Sequence, residues 1–280
     1  MTIPQYFPFM HGVYDVKAGI TALNKDLGNG AIDRQAFQID EQFDVYHAAK
    51  RAACEHREHH VLRSGFDAPI ESAIASWMQA RLLAEYPARD WSLSSIDFPL
   101  DELAMRVQAD LAVLQLDEQG CNRLTYLNVC MPSGWPPEDK IGKPFDAVHA
   151  PVPHIDPINA KHDSIAKLMV NATRGAVRFA WTITSDSALN HHPLRDVTAK
   201  HPSPLPDHPA GEPLLRVERQ VIWGFPDQQA ALFLIRTYLY PLDSLQPPVR
   251  AALAQSVSGM SEASLRYKNM DRGLILERLA

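Results

Sequence analysis

Residues 128–154 read NVCMPSGWPPEDKIGKPFDAVHAPVPH and set His149 inside a frame of prolines. A run with strand character, Leu124–Val129, breaks into Pro132, Gly134, Pro136 and Pro137, and a short acidic-then-basic turn follows. Proline fixes φ and removes a backbone donor, and it restricts the residue before it. A histidine set in Val-His-Ala-Pro-Val-Pro therefore has few conformations open to it. A metal ligand or a catalytic base needs that restriction; a solvated histidine does not. His154 and His162 lie near enough to be rivals for the same task.

Three pieces of this segment, Cys130–Trp135 (CMPSGW), Lys140–Pro144 (KIGKP) and His149–Pro153 (HAPVP), resemble the central signature of the heme-dependent oxidative N-demethylase α-subunit family, which includes dimethylamine-oxidising enzymes. A second block, Arg216–Gln220 (RVERQ) through Phe225–Pro226 to Phe233–Tyr238 (FLIRTY), is similar to that family's C-terminal signature. Weaker echoes lie at Asp15–Leu23, around Tyr46–Lys50 and at Tyr267–Lys268. The resemblance implies a PAS-like fold holding a b-type heme, with His149 as axial ligand ahead of His154 and then His162. His162, in KHDSIAKL, also resembles the histidine-bearing helix of heme-PAS oxygen sensors.

The implied reaction is the oxidation of an N-methyl group of a small methylated amine by dioxygen, with the product amine and formaldehyde as products. The chain shows neither a flavin fingerprint nor an iron–sulfur motif, so electrons must come from partner subunits carrying a flavin and an iron–sulfur centre, a reductase or ferredoxin type of partner. No CxxCH motif is present, so the heme would be held non-covalently. In one place the chain departs from the family, which often has Asn before the tryptophan at 181; here that residue is Ala180. The departure implies a changed substrate or a reduced activity. The rival reading is a non-catalytic heme- or ligand-binding PAS sensor or scaffold, because PAS folds often report on a ligand without transforming it.

Strand alternation puts Arg216, Glu218 and Gln220 on one face, with Val217, Arg219 and Val221 on the other. Arginine forks match carboxylates at two points, so Arg219 and Arg236 are natural partners for heme propionates or for an internal carboxylate. The plainer alternative is an Arg–Glu ladder on a solvated sheet face. Arg236 sits in the apolar run LFLIRTYLY, where an arginine must be paired to be tolerated. Trp135, Trp181 and Trp223 suit a heme face or a pocket for a methylated ammonium, although core packing is their commoner use. Cys130 reads better as a small buried apolar residue than as a thiolate ligand. His56, His59 and His60 in CEHREHH lack an HExxH pattern and read as a solvated helix surface, and His191–His192 sits in a polar loop with no functional reading.

With 280 residues, 46% of them hydrophobic, the chain can bury a substantial core as one large domain or two closely packed ones. The net charge of −6 lacks the positive footprint of a nucleic-acid binder. Three cysteines, Cys54, Cys121 and Cys130, are too few and too irregular for a disulfide framework. The N-terminus has no signal-peptide pattern, and no apolar run reaches the length of a membrane span, so a soluble, cytoplasmic protein is expected, with monomer and oligomer both open. No P-loop, GxGxxG or GxSxG motif appears, which leaves nucleotide binding and nucleophile-elbow hydrolysis unsupported.

The elements that must position these residues follow from periodicity. Helices are expected at Asp40–Arg63, Pro69–Tyr86 and Leu100–Leu114, the last merging into a strand at Ala112–Leu116. Strands are expected at Arg123–Val129, Ala176–Thr184, Leu214–Trp223 and Ala230–Tyr240, the last two a hairpin around GFPDQQ. Ala160–Asn171, with Ile165, Leu168 and Met169 inward, Pro248–Val257 and Glu262–Leu279 read as helices, and the proline-rich His201–Pro213 as a loop. The order predicts an α+β fold: a PAS-like five-stranded antiparallel sheet with surrounding helices. The expected division is an N-terminal helical region (1–100), a PAS-like core (101–245) and C-terminal helices packed on it (246–280).

Overall fold

The computed structural model describes residues 4–27, 31–94 and 97–280. Seven strands, β1 (Thr21–Ala22), β2 (Val61–Arg63), β3 (Asp110–Leu116), β4 (Asn122–Asn128), β5 (Ala176–Thr184), β6 (Leu214–Phe225) and β7 (Ala230–Pro241), form one antiparallel sheet in the order β1-β5-β6-β7-β3-β4-β2. Counted in chain order, the five long strands lie side by side as second, first, fifth, fourth and third. The α+β expectation holds, with two short edge strands added to the five.

The hairpin of β6 and β7 is the centre of the sheet, registered from Leu214 opposite Pro241 to Phe225 opposite Ala230. Its turn, Pro226–Gln228, ends at Gln229 with φ of 48°. The register gives the sheet two different faces, because side chains alternate along each strand. One face carries Arg178, Ala180 and Thr182 from β5, Arg216, Glu218 and Gln220 from β6, and Phe233 and Ile235 from β7. The other carries Val177 and Phe179, Val217, Arg219 and Val221, and Leu234, Arg236 and Tyr238.

The second face is packed along most of its length. Helix Ala68–Glu85 lays Ile74, Met78 and Leu82, all fully buried, against Val113, Val221, Leu232 and Leu234. Towards the other end of the same face, Tyr6 and Phe9 join Val217 and Tyr238 with the C-terminal helices Pro247–Ser258 and Arg272–Leu279. Burying such aliphatic side chains stabilises by about 1.5–3 kcal/mol each. The first face is covered by the chain between β4 and β5, which includes the helices Phe145–His149 and His162–Val170. Gly224 of β6 lets the end of the second helix come close: a Cβ there would lie 2.3 Å from Val170 O and 2.5 Å from Ala172 N.

Four expected elements differ in detail. The Asp40–Arg63 helix is instead Phe43–Ala53, a turn of 3-10 helix, a short helix Arg57–His60 and then β2, which pairs with Tyr126–Asn128 of β4. The Leu100–Leu114 helix spans only Pro99–Met105, because from Asp110 onward the chain is paired on both sides, by β4 and β7. Leu168 is 54% exposed, and the buried face of its helix is Ala166, Met169 and Val170. The C-terminal helix is two, Glu262–Tyr267 and Arg272–Leu279, broken at Asn269 (φ 51°) and restarted by Asp271, whose side chain accepts the Leu274 N–H.

Candidate functional site

A cavity of about 2500 Å³ opens between the first sheet face and the covering segment and continues round the β5 edge to the N-terminal segment and the C-terminal helices, where Tyr14, Trp181 and Met270 line it. Ala112, Leu114, Leu124, Leu127, Phe233 and Ile235 supply an aliphatic and aromatic floor from the sheet, and Ile165 and Met169 come from the helix above. Small-molecule pockets usually span about 300–1,000 Å³, so this one has room for a large planar cofactor together with a small substrate. Its polar end is built from Arg178, Glu218 and Gln220, three neighbours on β5 and β6.

The signature segment reaches the cavity along a line of buried polar anchors. Lys50, fully buried, donates to Ala104 O and Ala109 O and stands 3.7 Å from Asp110. Asp110 accepts the Met131 N–H at 2.8 Å, and Arg216 donates to Met131 O (2.8 Å) and Leu189 O (3.1 Å). Gly142 N donates to Leu124 O, and Phe145 N to Asn122 Oδ1 at 2.6 Å, which starts the helical turn Phe145–His149. His149 is thus held at the end of a helix, not in an extended proline frame.

His149 Nδ1 donates to Phe145 O at 2.7 Å, and the two rings lie against each other at a tilt of 34° with centroids 4.1 Å apart. With Nδ1 engaged, Nε2 is left with its lone pair, the arrangement that orients metal-ligating imidazoles. Burial, with added repulsion from Arg178 and Lys140, lowers its pKa to about 4 despite the Phe145 carbonyl. The imidazole is therefore neutral at pH 7, as a metal ligand must be.

Of the three candidate histidines, only His149 borders the cavity. His154, in a left-handed conformation (φ 63°), meets Ser261 Oγ at 2.9 Å on the surface. His162 lies beside Asn122 and Asp163, half-buried at the start of its helix. Trp135 lines the cavity and packs against Leu127 and Val129, whereas Trp223 packs on Trp77 in the core behind the sheet. Trp181 stands on edge to Phe9 and Tyr14. Cys130 lies off the cavity among Tyr46, Ala49 and Leu189.

Arg219 and Arg236 project from the packed face. Arg219 donates to Gln35 O (2.7 Å) and Ala36 O (3.3 Å). Arg236 pairs with Asp40 at 3.0 Å and stacks 3.6 Å above the Tyr46 ring. The internal carboxylate that Arg236 requires is Asp40, and the heme-propionate role expected for these two arginines does not fit a face turned from the cavity. Of the arginines that line the cavity, Arg195 is paired with Asp186 and Arg216 is spent on Leu189 O and Met131 O, whereas the one hydrogen bond of Arg178 among the described residues goes to Gln220 Oε1 (3.1 Å), with no ion pair. Burial lowers its pKa, and Glu218 counters. Alternation in AVRFAWTIT already set Arg178 beside Ala180 and Thr182 on one face, the signal by which it was findable.

Histidines read as surface residues are also drawn in. His192 is 3% exposed and His60 is equally buried, tied to Val129 O at 2.8 Å. Glu138 bridges His59 Nδ1 (2.9 Å) and His192 Nε2 (3.0 Å), a trio with its ligand atoms within 4.8 Å of one another. A metal does not suit this trio. His192 Nδ1 accepts the Leu194 N–H at 3.1 Å, so Nε2 carries the proton that Glu138 receives. The trio pins the loop bearing His191, which lines the cavity and whose pKa burial lowers to about 3.

A neutral, oriented imidazole beside a large, mostly apolar cavity, with an arginine that keeps donors to spare, fits a cofactor-binding α+β protein. The donor set fits heme: neutral imidazoles at His149 and His191, apolar walls for the macrocycle, and a guanidinium for its carboxylates. The chain belongs to the haem-dependent oxidative N-demethylase, alpha subunit-like family, whose family model matches residues 30–273. Membership carries a dependence on heme, and the alpha-subunit name carries the presence of other subunits. Among the described residues, no helix is long and apolar enough to cross a membrane.

Proposed function

We propose that this protein binds one b-type heme non-covalently in the cavity and uses it in the oxidative N-demethylation of a small methylated amine. The observation that carries the reading is His149: neutral, fixed by Phe145 O, with Nε2 free in a cavity large enough for the macrocycle. The strand order second-first-fifth-fourth-third supports a PAS-like core. When bound, heme would supply the redox chemistry by which dioxygen oxidises an N-methyl group, giving amine and formaldehyde.

The residues of this chain set the conditions for that chemistry. His149 is the ligand and Arg178 the partner for a propionate. Glu218, held by a hydrogen bond from Gln220 Nε2 (2.9 Å), supplies negative charge for a methylammonium substrate, and Trp135 supplies an aromatic face. Ala180 registers directly opposite Glu218, so that position offers a methyl group and no amide to the substrate. Electrons come from partner subunits carrying flavin and an iron–sulfur centre. A reducing compartment such as the cytoplasm suits three unpaired cysteines.

The test is hemin titration of the purified protein, with saturation expected near one equivalent and a Soret band. His149→Ala should abolish or shift that band, and His162→Ala should preserve it. A protein that takes up no hemin would sink the proposal. With heme bound and a chemical reductant or reductase supplied, a panel of secondary and tertiary methylamines should release formaldehyde. Oxygen consumption that no amine alters would favour the sensor role instead.

A further inference from the structure

Lys268 is a cation in an apolar place. It lies in the break between helices Glu262–Tyr267 and Arg272–Leu279 and lines the same cavity as Arg178 and Glu218. Its Nζ donates to Trp181 O at 2.6 Å and sits 5.7 Å above the Tyr14 ring and 5.9 Å above the Trp181 ring. Among the described residues, no carboxylate comes within salt-bridge distance. An ammonium so placed keeps one backbone acceptor and two aromatic neighbours in exchange for its hydration. Burial lowers its pKa to about 8, with Glu218 opposing and Arg178 adding to the shift. Lysines made nucleophilic this way form Schiff bases with carbonyl compounds.

We propose that Lys268 is a covalent capture site for small aldehydes, its amine opening onto the cavity between Tyr14 and Trp181. The neutral amine's lone pair forms a C–N bond to the carbonyl carbon while the C=O π pair takes up a proton, giving a carbinolamine. Loss of water then leaves the imine. No electrons are exchanged, and hydrolysis reverses the step. The charged and titratable groups around Nζ are Glu218 and Arg178 from the sheet, Tyr14 from the N-terminal segment and the adjoining Tyr267. The source of the aldehyde rests on the function proposed above, since N-demethylation releases formaldehyde into this cavity; the reactivity of the amine does not.

Formaldehyde itself is the probe. The full-length protein is treated briefly at pH 7 with formaldehyde and cyanoborohydride, which traps the imine as a methylated lysine, and the sites are ranked by peptide mass mapping. At that pH roughly a tenth of an amine of pKa about 8 is neutral, against well under a thousandth for an ordinary lysine. Lys268 should therefore be modified about ten-fold or more ahead of the exposed Lys167 and Lys200. Its rate should level off above about pH 8, while theirs keep rising. Lys268→Arg should remove the fast site and leave hemin uptake and Tm unchanged. Modification of Lys268 no faster than Lys200 would overturn the proposal. A protein that captures formaldehyde at Lys268 but takes up no hemin would overturn the heme reading alone, and the opposite pair of results would overturn this one alone.

Discussion

The two faces of the central sheet use the same residue type in opposite ways. On the packed face, Arg219 and Arg236 are directly opposite each other in the register, both almost fully buried, and their guanidinium groups are spent on Gln35 O, Ala36 O and Asp40. They bind the segment around residues 35–40 to the sheet. On the cavity face, Arg178 makes one hydrogen bond, to a neutral amide. A buried arginine satisfied by its own chain is structure; one left with donors beside an open cavity is a binding group. Neither the residue type nor the face alone separates the two, since Arg216 on the cavity face is spent on Met131 O and Leu189 O; the donors left over do.

The comparison is broken most directly at Asp40. Asp40→Ala strands Arg236 as a buried, unpaired cation, and such a loss costs about 3–5 kcal/mol. Urea unfolding should show a midpoint shift of that size; a shift under about 1 kcal/mol would mean the packed-face arginine is not held by its carboxylate. Arg178→Leu should do the reverse. Hemin affinity should fall by about one to two decades, the worth of a charged hydrogen bond, with stability no lower than in the parent, because an incompletely satisfied cation has been removed.

A graded, smaller effect comes from pH. His149 has a pKa near 4 in the fold and about 6.5 when unfolded, and His191 is lowered further, to about 3. The unfolded chain binds these protons first as pH falls, so the contribution of these two histidines is flat above about pH 6.5 and declines progressively towards pH 4 and below. His149→Gln should flatten part of that decline in denaturant melts taken across the range; an unchanged slope would place the acid sensitivity elsewhere. The smallest effect belongs to Leu168, half-exposed on its helix, where Leu168→Ser should change stability by no more than about 0.5 kcal/mol. A larger loss would show that its side chain is covered.

Much of the sheet was legible because its signals are local. Ala176–Thr184 alternates and forms a strand with those same ends, and the hairpin of β6 and β7 is bounded by its turn residues. Helix Ala68–Glu85 follows from its apolar stripe and N-terminal proline. What was not legible depended on partners far along the chain. The spacing of Leu103, Val107, Leu111 and Leu114 fits a helix, but β4 and β7 supply hydrogen bonds on both sides of Asp110–Leu116 and make it a strand. Val61–Arg63 is a strand only because Tyr126–Asn128 lies beside it.

The site divides in the same way. His149 stood out in the sequence because prolines frame it and because its block resembles a heme family's signature, and Trp135 because it lies in the same family-like segment. Arg178, His191, His192 and Lys268 gave no such sign. Each becomes notable through water removed by residues distant in sequence: Gln220 and Glu218 beside Arg178, Glu138 against His192, Tyr14 and Trp181 around Lys268. Composition and local pattern determined the α+β class, the central hairpin and the candidate imidazole. Burial and charge environment are properties of the assembled chain, so only the tertiary structure decided which arginine is left with donors beside the cavity, which histidines lose their water and which lysine lies between two aromatic rings.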